Sequence, residues 1–166
     1  MADLPPFEDV YTEYANRIFR FCLWLLHDSE AAEDVTADTF MAAYVAYERV
    51  RPGPDALQPW LFRIAKNRAL NHRRGLRRLG RVLGALQRRP MASTDVEDTV
   101  EVRQELDQVI ADVATLAQRD RLLIGLRCGA ELSYAEIGQL LGLQEVAART
   151  ATYRALERLR ERGARR

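Results

Sequence analysis

The chain has 166 residues, 48% of them apolar, with six prolines and nine glycines. That length allows one ordinary domain or two small ones, and the composition excludes wholesale disorder and argues against a turn-rich all-β fold. The net charge of +1 hides four alternating blocks: residues 1–50 carry 3 basic and 10 acidic side chains, 51–90 carry 11 and 1, 91–120 carry 2 and 8, and 121–166 carry 9 and 5.

The first predicted element runs from about Phe7 to Leu26. Phe7, Tyr11, Tyr14, Ile18, Phe21, Cys22 and Leu25 recur at steps of three and four, the period of an amphipathic helix. His27-Asp28-Ser29 breaks it, and Asp28 or Ser29 can cap the next helix. That second helix, about Glu30 to Arg49, turns Val35, Thr39, Phe40, Ala43, Tyr44 and Tyr47 inward. Glu30, Glu33, Asp34 and Asp38 cluster in its first half, where carboxylates suit the positive end of the helix dipole. Arg51-Pro52-Gly53-Pro54 is a firm break. A third helix follows, about Ala56 to Arg74, with Pro59 tolerable in its first turn and Gly75 able to end it.

Residues 75–95 read as a linker of poor hydrophobic period, although Leu76 to Leu86 can form a short helix. Helical spacing resumes with Val102, Leu106, Val109, Ile110 and Val113, and another helix covers Leu116 to Arg127. Ser133-Tyr134-Ala135-Glu136 is a capping box that starts a helix carrying Ile137, Leu140 and Leu141 and ending at Gly142. A last helix spans about Glu145 to Arg162. The fold class expected is all-α: two small helical domains, 1–75 and 98–166, joined by a flexible linker at 76–97.

The longest apolar run, Phe21 to Leu26, is six residues, far below the ~18 a membrane span needs. The acidic N-terminus lacks a signal pattern, so a cytoplasmic protein is expected. Cys22 and Cys128 sit among apolar residues and read as two buried thiols. His27 and His72 belong to no Cys/His cluster, so no metal and no cofactor is expected.

Three constellations carry chemistry. On the third helix, Trp60, Arg63, Asn67 and Arg74 share one narrow stripe, with Asn71 beside it. Guanidiniums neutralise phosphates, amides read base edges and a ring stacks on an unpaired base; the plainer alternative is a core tryptophan beside solvated arginines. In the second half, the capping box, Gly142 and Leu143 suit a helix–turn–helix presenting Arg149, Thr150, Tyr153 and Arg154 to a major groove; an ordinary αα-hairpin remains open. The acidic face of the second helix is either solvated or a dock for a basic partner. No nucleophile, metal cluster or phosphate loop accompanies it, so no catalytic residue and no enzyme is expected.

Taken together these segments resemble the extracytoplasmic-function class of bacterial RNA polymerase sigma factors. "DSEAAEDVTADTFMAAY", Asp28 to Tyr44, resembles that family's region 2.2. "QPWLFRIAKNRALNHRR", Gln58 to Arg74, resembles regions 2.3 and 2.4, and "LSYAEIGQLLGL", Leu132 to Leu143, resembles the start of region 4. The resemblance implies that Glu33, Asp34, Thr39 and Phe40 dock on the β′ coiled coil of core polymerase. It implies that Arg51 to Asp55, with Trp60, Arg63, Lys66, Asn67, Asn71 and Arg74, open and read the −10 element. It implies that Arg149, Thr150, Tyr153 and Arg154 read the −35 duplex. Core polymerase, including its β flap, promoter DNA and an anti-sigma factor are the partners it implies.

One departure stands out. Where such proteins start the recognition helix with a Ser or Thr cap and follow it with bulkier apolar and basic residues, this chain has Gln144, Ala148, Ala151 and Thr152. A poor cap and little apolar bulk predict a loosely docked recognition helix. A stand-alone helix–turn–helix regulator is the second reading. A degenerate sigma-like protein that sequesters core polymerase or an anti-sigma factor is the third.

Overall fold

A computed structural model describes residues 4–83 and 100–165. Seven α-helices and one π-helical turn make up the described chain: α1 Phe7–Leu26, α2 Ser29–Val50, α3 Pro54–Leu83, α4 Val100–Ala114, α5 Gln118–Ile124, the π-turn Gly125–Gly129, α6 Tyr134–Leu141 and α7 Glu145–Ala164. The chain is all-α with no strand among the described residues.

Local chemistry sets the helix ends. His27 closes α1 in the left-handed conformation at φ 57°, its N–H donating to the Leu23 carbonyl. Asp28 is the cap of α2, accepting from the Ala31 N–H at 3.1 Å. Arg51 closes α2 at φ 43°, a backbone region that a residue with a Cβ adopts at a cost. Pro54 then opens α3 at the position where a missing N–H is harmless. That earlier start moves Pro59 out of the first turn, where the residue pattern had put it.

The third helix also ends later than its glycine suggests. α3 runs through Gly75 and Gly80 to Leu83. Glycine stops a helix by taking a left-handed conformation, and Gly142 is the one described glycine with positive φ. Within a run of leucine and arginine, glycine costs only about 1 kcal/mol in helix propensity. The first eight residues of the expected linker, 76–83, are therefore helical; residues 84–97 lie outside the described chain, as does the end of the expected 76–86 helix.

α1 to α3 form a three-helix unit around Phe21 and Phe62, both fully buried. Phe62 meets Phe21 edge-on at 6.2 Å and Tyr14 at 6.5 Å between ring centroids. At the other end Phe7 packs edge-on against Phe40, Tyr44 and Tyr47. The Tyr47 hydroxyl, donating to the Pro5 carbonyl at 2.9 Å, ties down the N-terminal segment. Cys22 is buried within this core, and burial pushes its thiol up to about 12; Cys128 is exposed on the π-turn, against the expectation of two buried thiols. The five-residue turn puts successive side chains at angles that an α-helical count does not foresee.

α4 to α7 form the second unit. Leu116, Ile124 and Ala155 are buried together, and the largely buried Asp120 accepts two bonds from Arg158 at 2.9 and 3.0 Å. The two units share one continuous core, in which Leu122, Leu123 and Leu126 join the buried residues of α1.

The seam between them is built on glycine. A Cβ at Gly129 would lie 2.8 Å from Trp24 Cδ1 and 3.1 Å from the Arg20 carbonyl oxygen, and one at Gly125 would touch Phe21 and Trp24 at 3.4 Å. Around this close approach runs a polar chain. Arg17 donates through Nε to the Ala130 carbonyl at 2.9 Å and through Nη1 to Gln58 Oε1 at 2.8 Å. Gln58 in turn donates through Nε2 to Glu136 Oε1 at 2.5 Å. Arg20 pairs with Glu131 at 2.7 Å.

Gly129→Leu is therefore expected to part the two units, since overpacking typically costs about 1–3 kcal/mol. Small-angle scattering should show a larger radius of gyration with helical circular dichroism retained; an unchanged radius would mean that the seam does not depend on this close approach.

Candidate functional site

α2 buries one face and leaves a long outer face. Glu33 and Asp34 are exposed, but Thr39 and Phe40 are not. Thr39 is fully buried, its hydroxyl donating to the Val35 carbonyl at 2.7 Å. Phe40 is 5% exposed and edge-on to Tyr11 at 4.8 Å. Neither can touch a partner directly; they hold α2 onto α1. This corrects the direct docking role given to Thr39 and Phe40. Tyr44, expected inside, is 67% exposed, and the outer face also carries Met41 at 69% and Val45 at 82%.

Asp34, Ala37, Asp38, Met41, Val45 and Glu48 are spaced to follow one another along that face. The face is acidic at Asp34 and Asp38, apolar at Met41 and Val45, and acidic again at Glu48, and all five side chains are exposed. Met41 and Val45 were the signal missed: α2 is so rich in alanine that its apolar pattern fits more than one face.

On α3 the predicted stripe is present as a surface. Arg63, Asn67, Asn71 and Arg74 are exposed and Lys66 is half-buried. Trp60 is half-buried, its ring packed against Tyr47 at 6.2 Å and tilted by 36°. The indole is thus a partly buried side chain packed against the core of the first unit. Leu57, Leu61, Phe62, Ala65 and Ala69 form the buried side. Arg51 and Asp55 are exposed at the α2–α3 corner, where Arg51 is held by its left-handed backbone rather than by a side-chain bond.

The helix–turn–helix is made by α6 and α7. Ser133 and Glu136 form the reciprocal capping box: the Ser133 N–H donates to Glu136 Oε2 at 2.7 Å and the Glu136 N–H to Ser133 Oγ at 3.2 Å. Gly142 takes the left-handed position at φ 69°. Gly138, which carries no signal in the residue pattern, is what lets the second helix come close: a Cβ there would lie 2.6 Å from the Leu143 carbonyl oxygen.

Gln144 precedes α7 without a side-chain capping bond. Ala148, Thr152 and Ala155 are nevertheless fully buried, and the Thr152 hydroxyl is satisfied by the Ala148 carbonyl at 2.8 Å. Small side chains bring α7 close instead of leaving it loose, which corrects the loose docking expected. Arg149, Thr150, Tyr153 and Arg154 all face outward. Arg149 pairs with Glu145 at 3.0 Å and lies 5.5 Å from the Tyr134 ring centre. Tyr134 also meets Tyr153 at 6.2 Å and Arg127 at 4.9 Å, so one aromatic ring orders the start of the exposed face.

Phe40→Ala is expected to cost about 3–5 kcal/mol of stability, the range for a buried ring. Glu33→Gln, on the exposed side, should stay within about 0.5 kcal/mol of the parent. Urea unfolding separates the two, and a parental midpoint for Phe40→Ala would mean that the ring is no part of the core.

Two families match the chain: sigma-70 region 2 over residues 10–79 and sigma-70 region 4 over residues 113–161. Among curated proteins, the ECF RNA polymerase sigma factor SigM of Bacillus subtilis is 25% identical over 92% of this chain and 92% of its own length. The ECF RNA polymerase sigma factor SigL of Mycobacterium tuberculosis is 29% identical over 91% and 85%. Among solved structures, the sigma factor RpoE of Bartonella quintana, crystallised with the anti-sigma factor NepR, superposes with a TM-score of 0.78 at 21% identity, over 94% of this chain and 95% of that one. CnrH in complex with the cytosolic domain of CnrY gives 0.68 at 23% identity, over 93% and 85%. With regions 2 and 4 matched in order and relatives of one class aligned nearly end to end, the chain belongs to the sigma-70 family and is an RNA polymerase sigma factor of the extracytoplasmic-function class.

Proposed function

We propose that α2 docks on the β′ coiled coil of core polymerase through Glu33, Asp34, Asp38, Met41 and Val45. The carboxylates supply long-range attraction to a basic partner, and the two exposed apolar side chains supply area to bury. Residues 1–75 then act as the −10 unit and 98–166 as the −35 unit, with 76–97 connecting them. Trp60, Arg63, Lys66, Asn67, Asn71 and Arg74, with Arg51 and Asp55 at the corner, grip the melted −10 strand. Arg149, Thr150, Tyr153 and Arg154 read the −35 duplex, with the β flap of core polymerase as a second contact for that unit. The protein performs no chemistry of its own, needs no cofactor and works in the cytoplasm.

The observation that carries this reading is the division of labour within the first unit. Its core consumes Thr39, Phe40, Leu61 and Phe62 and leaves both an acidic–apolar face and a basic–aromatic stripe unspent. A stand-alone duplex regulator would use neither.

The closed seam then has a consequence. The −10 and −35 elements lie about 25 base pairs apart, or ~85 Å at ~3.4 Å per pair. A compact chain of this length has a radius of gyration of only ~15 Å. The two units cannot reach both elements while the seam holds, so it opens in the polymerase-bound form. A partner that bridges the closed units, as an anti-sigma factor would, holds the protein inactive.

Transcription in vitro with core polymerase tests the reading: initiation from a cognate promoter is expected only when this protein is added. Asp34→Arg should weaken core association about tenfold or more, equivalent to about 1.4 kcal/mol, with helicity intact. Asn67→Ala should slow promoter opening more than it weakens core association. Core association untouched by Asp34→Arg would remove the docking face, and a reversed order of effects in Asn67→Ala would remove the −10 assignment.

A further inference from the structure

α7 carries one outward side chain that neither the core nor the four reading residues account for. Val146 is the second residue of the helix and is 71% exposed. At about 100° per residue, it stands on a line with Thr150 and Tyr153. That line lies opposite Ala148, Thr152 and Ala155, which are fully buried. The other polar groups of the first turn are engaged with one another. Glu145 and Arg149 pair at 3.0 Å, and the Arg149 guanidinium lies 5.5 Å from the centre of the Tyr134 ring. Val146 therefore heads the outward face.

Folding gives little reason for a valine there. A β-branched residue is a poorer helix former than alanine, and this stretch has alanine at 147, 148 and 151. An isopropyl group left in water also forgoes the gain of apolar burial. With so much of the side chain exposed, packing within the chain offsets little of either cost.

We propose that Val146 is a specificity-determining residue of the helix–turn–helix, reading the C5 methyl group of a thymine in the upstream promoter duplex. This rests on the −35 reading of α7 and deepens it. In a helix–turn–helix the first residues of the second helix meet base edges in the major groove. Thymine is the base that presents an apolar group there; guanine, adenine and cytosine present only donors and acceptors. An isopropyl group packs on a methyl group and has no hydrogen bond to offer. Set against another base, it covers polar atoms and separates them from water without replacing the bonds they lose. Val146 thus favours thymine twice over, by burying its methyl group and by penalising the alternatives.

The four reading residues act by different chemistry. Arg149 and Arg154 carry guanidiniums suited to guanine edges and phosphates, and Thr150 and Tyr153 carry hydroxyls that both donate and accept. Hydroxyls tolerate more than one base edge, so thymine selection at one position falls to the apolar side chain.

The test uses the full chain bound to core polymerase and a pool of random duplexes long enough to hold both promoter elements. Selection with the parent protein should enrich an upstream element that contains a fixed thymine. Each upstream thymine is then replaced in turn by deoxyuridine, which removes only the methyl group. At one position the replacement should weaken parent binding about fourfold, the effect of burying one methyl group. Val146→Ala should bind the thymine and deoxyuridine duplexes alike. Val146→Ile, which keeps the β-branched surface, should retain the preference.

A parent complex indifferent to deoxyuridine at every upstream thymine would overturn the assignment, and so would a Val146→Ala complex that keeps the parental preference. Arg154→Ala on the same duplexes keeps the two readings apart. If it weakens binding while deoxyuridine has no effect, the role of Val146 falls alone. If the parent enriches no upstream element, or if Arg154→Ala and Val146→Ala both bind the enriched duplex as the parent does, the −35 reading of α7 falls and Val146 goes with it.

Discussion

The structure depends on α1 being buried on two sides at once. Its first face, Val10, Tyr14, Ile18, Phe21 and Leu25, forms the core with α2 and α3. Its second, Arg17, Arg20 and Trp24, receives the π-turn of the other unit. Each large apolar side chain fully buried here contributes about 1.5–3 kcal/mol, so α1 is the element against which α2, α3 and the π-turn take their positions. α2 and α3 keep exposed outer faces because α1 has already taken their inner faces.

What the sequence made legible follows from local chemistry. The ends of α1, the capping box at Ser133 and Glu136 and the left-handed Gly142 each rest on a few neighbouring residues, and a local signal suffices for them. The inner faces of α2 were less legible. Alanines at 31, 32, 37, 42, 43 and 46 leave several faces equally apolar, and only packing against Phe7 and Tyr11 decides that Phe40 goes in while Met41 and Val45 stay out. Gly75 misled for a related reason: glycine permits a helix to end but does not require it. The seam was not legible at all. Arg17, Gln58, Ala130 and Glu136 are separated by up to 119 residues, and no periodicity announces a partner at that range.

Glu136 links the two levels. One carboxylate oxygen completes the cap of α6 and the other accepts from Gln58 across the seam. The helix–turn–helix is thus oriented relative to α3 by the same side chain that starts its first helix. Hydrogen bonds of this kind contribute modestly to net stability, about 0.5–1.5 kcal/mol each, but they fix geometry. Arg20 and Glu131 are too exposed to add much. The seam's polar rim therefore specifies how the units meet more than how tightly.

The tightness comes from the close approach at the glycines and from the leucines behind it. Leu123 and Leu126 are at most 1% exposed, and opening would uncover part of that surface. Phe21 keeps Phe62 as a neighbour within its own unit, so the first core survives separation while the second unit bears more of the cost. If promoter engagement requires the open form, the free energy for opening has to come from whatever binds that form better. Moving such an equilibrium from about 1:99 to 99:1 takes ~5.5 kcal/mol of differential binding, which is beyond what a few exposed arginines contribute. The outer face of α2, with Met41 and Val45, is already exposed while the seam is closed, and a partner that binds both forms equally shifts nothing however tightly it binds. The differential binding therefore has to come from contacts that only the separated units can make, and the α2 face proposed above serves attachment alone.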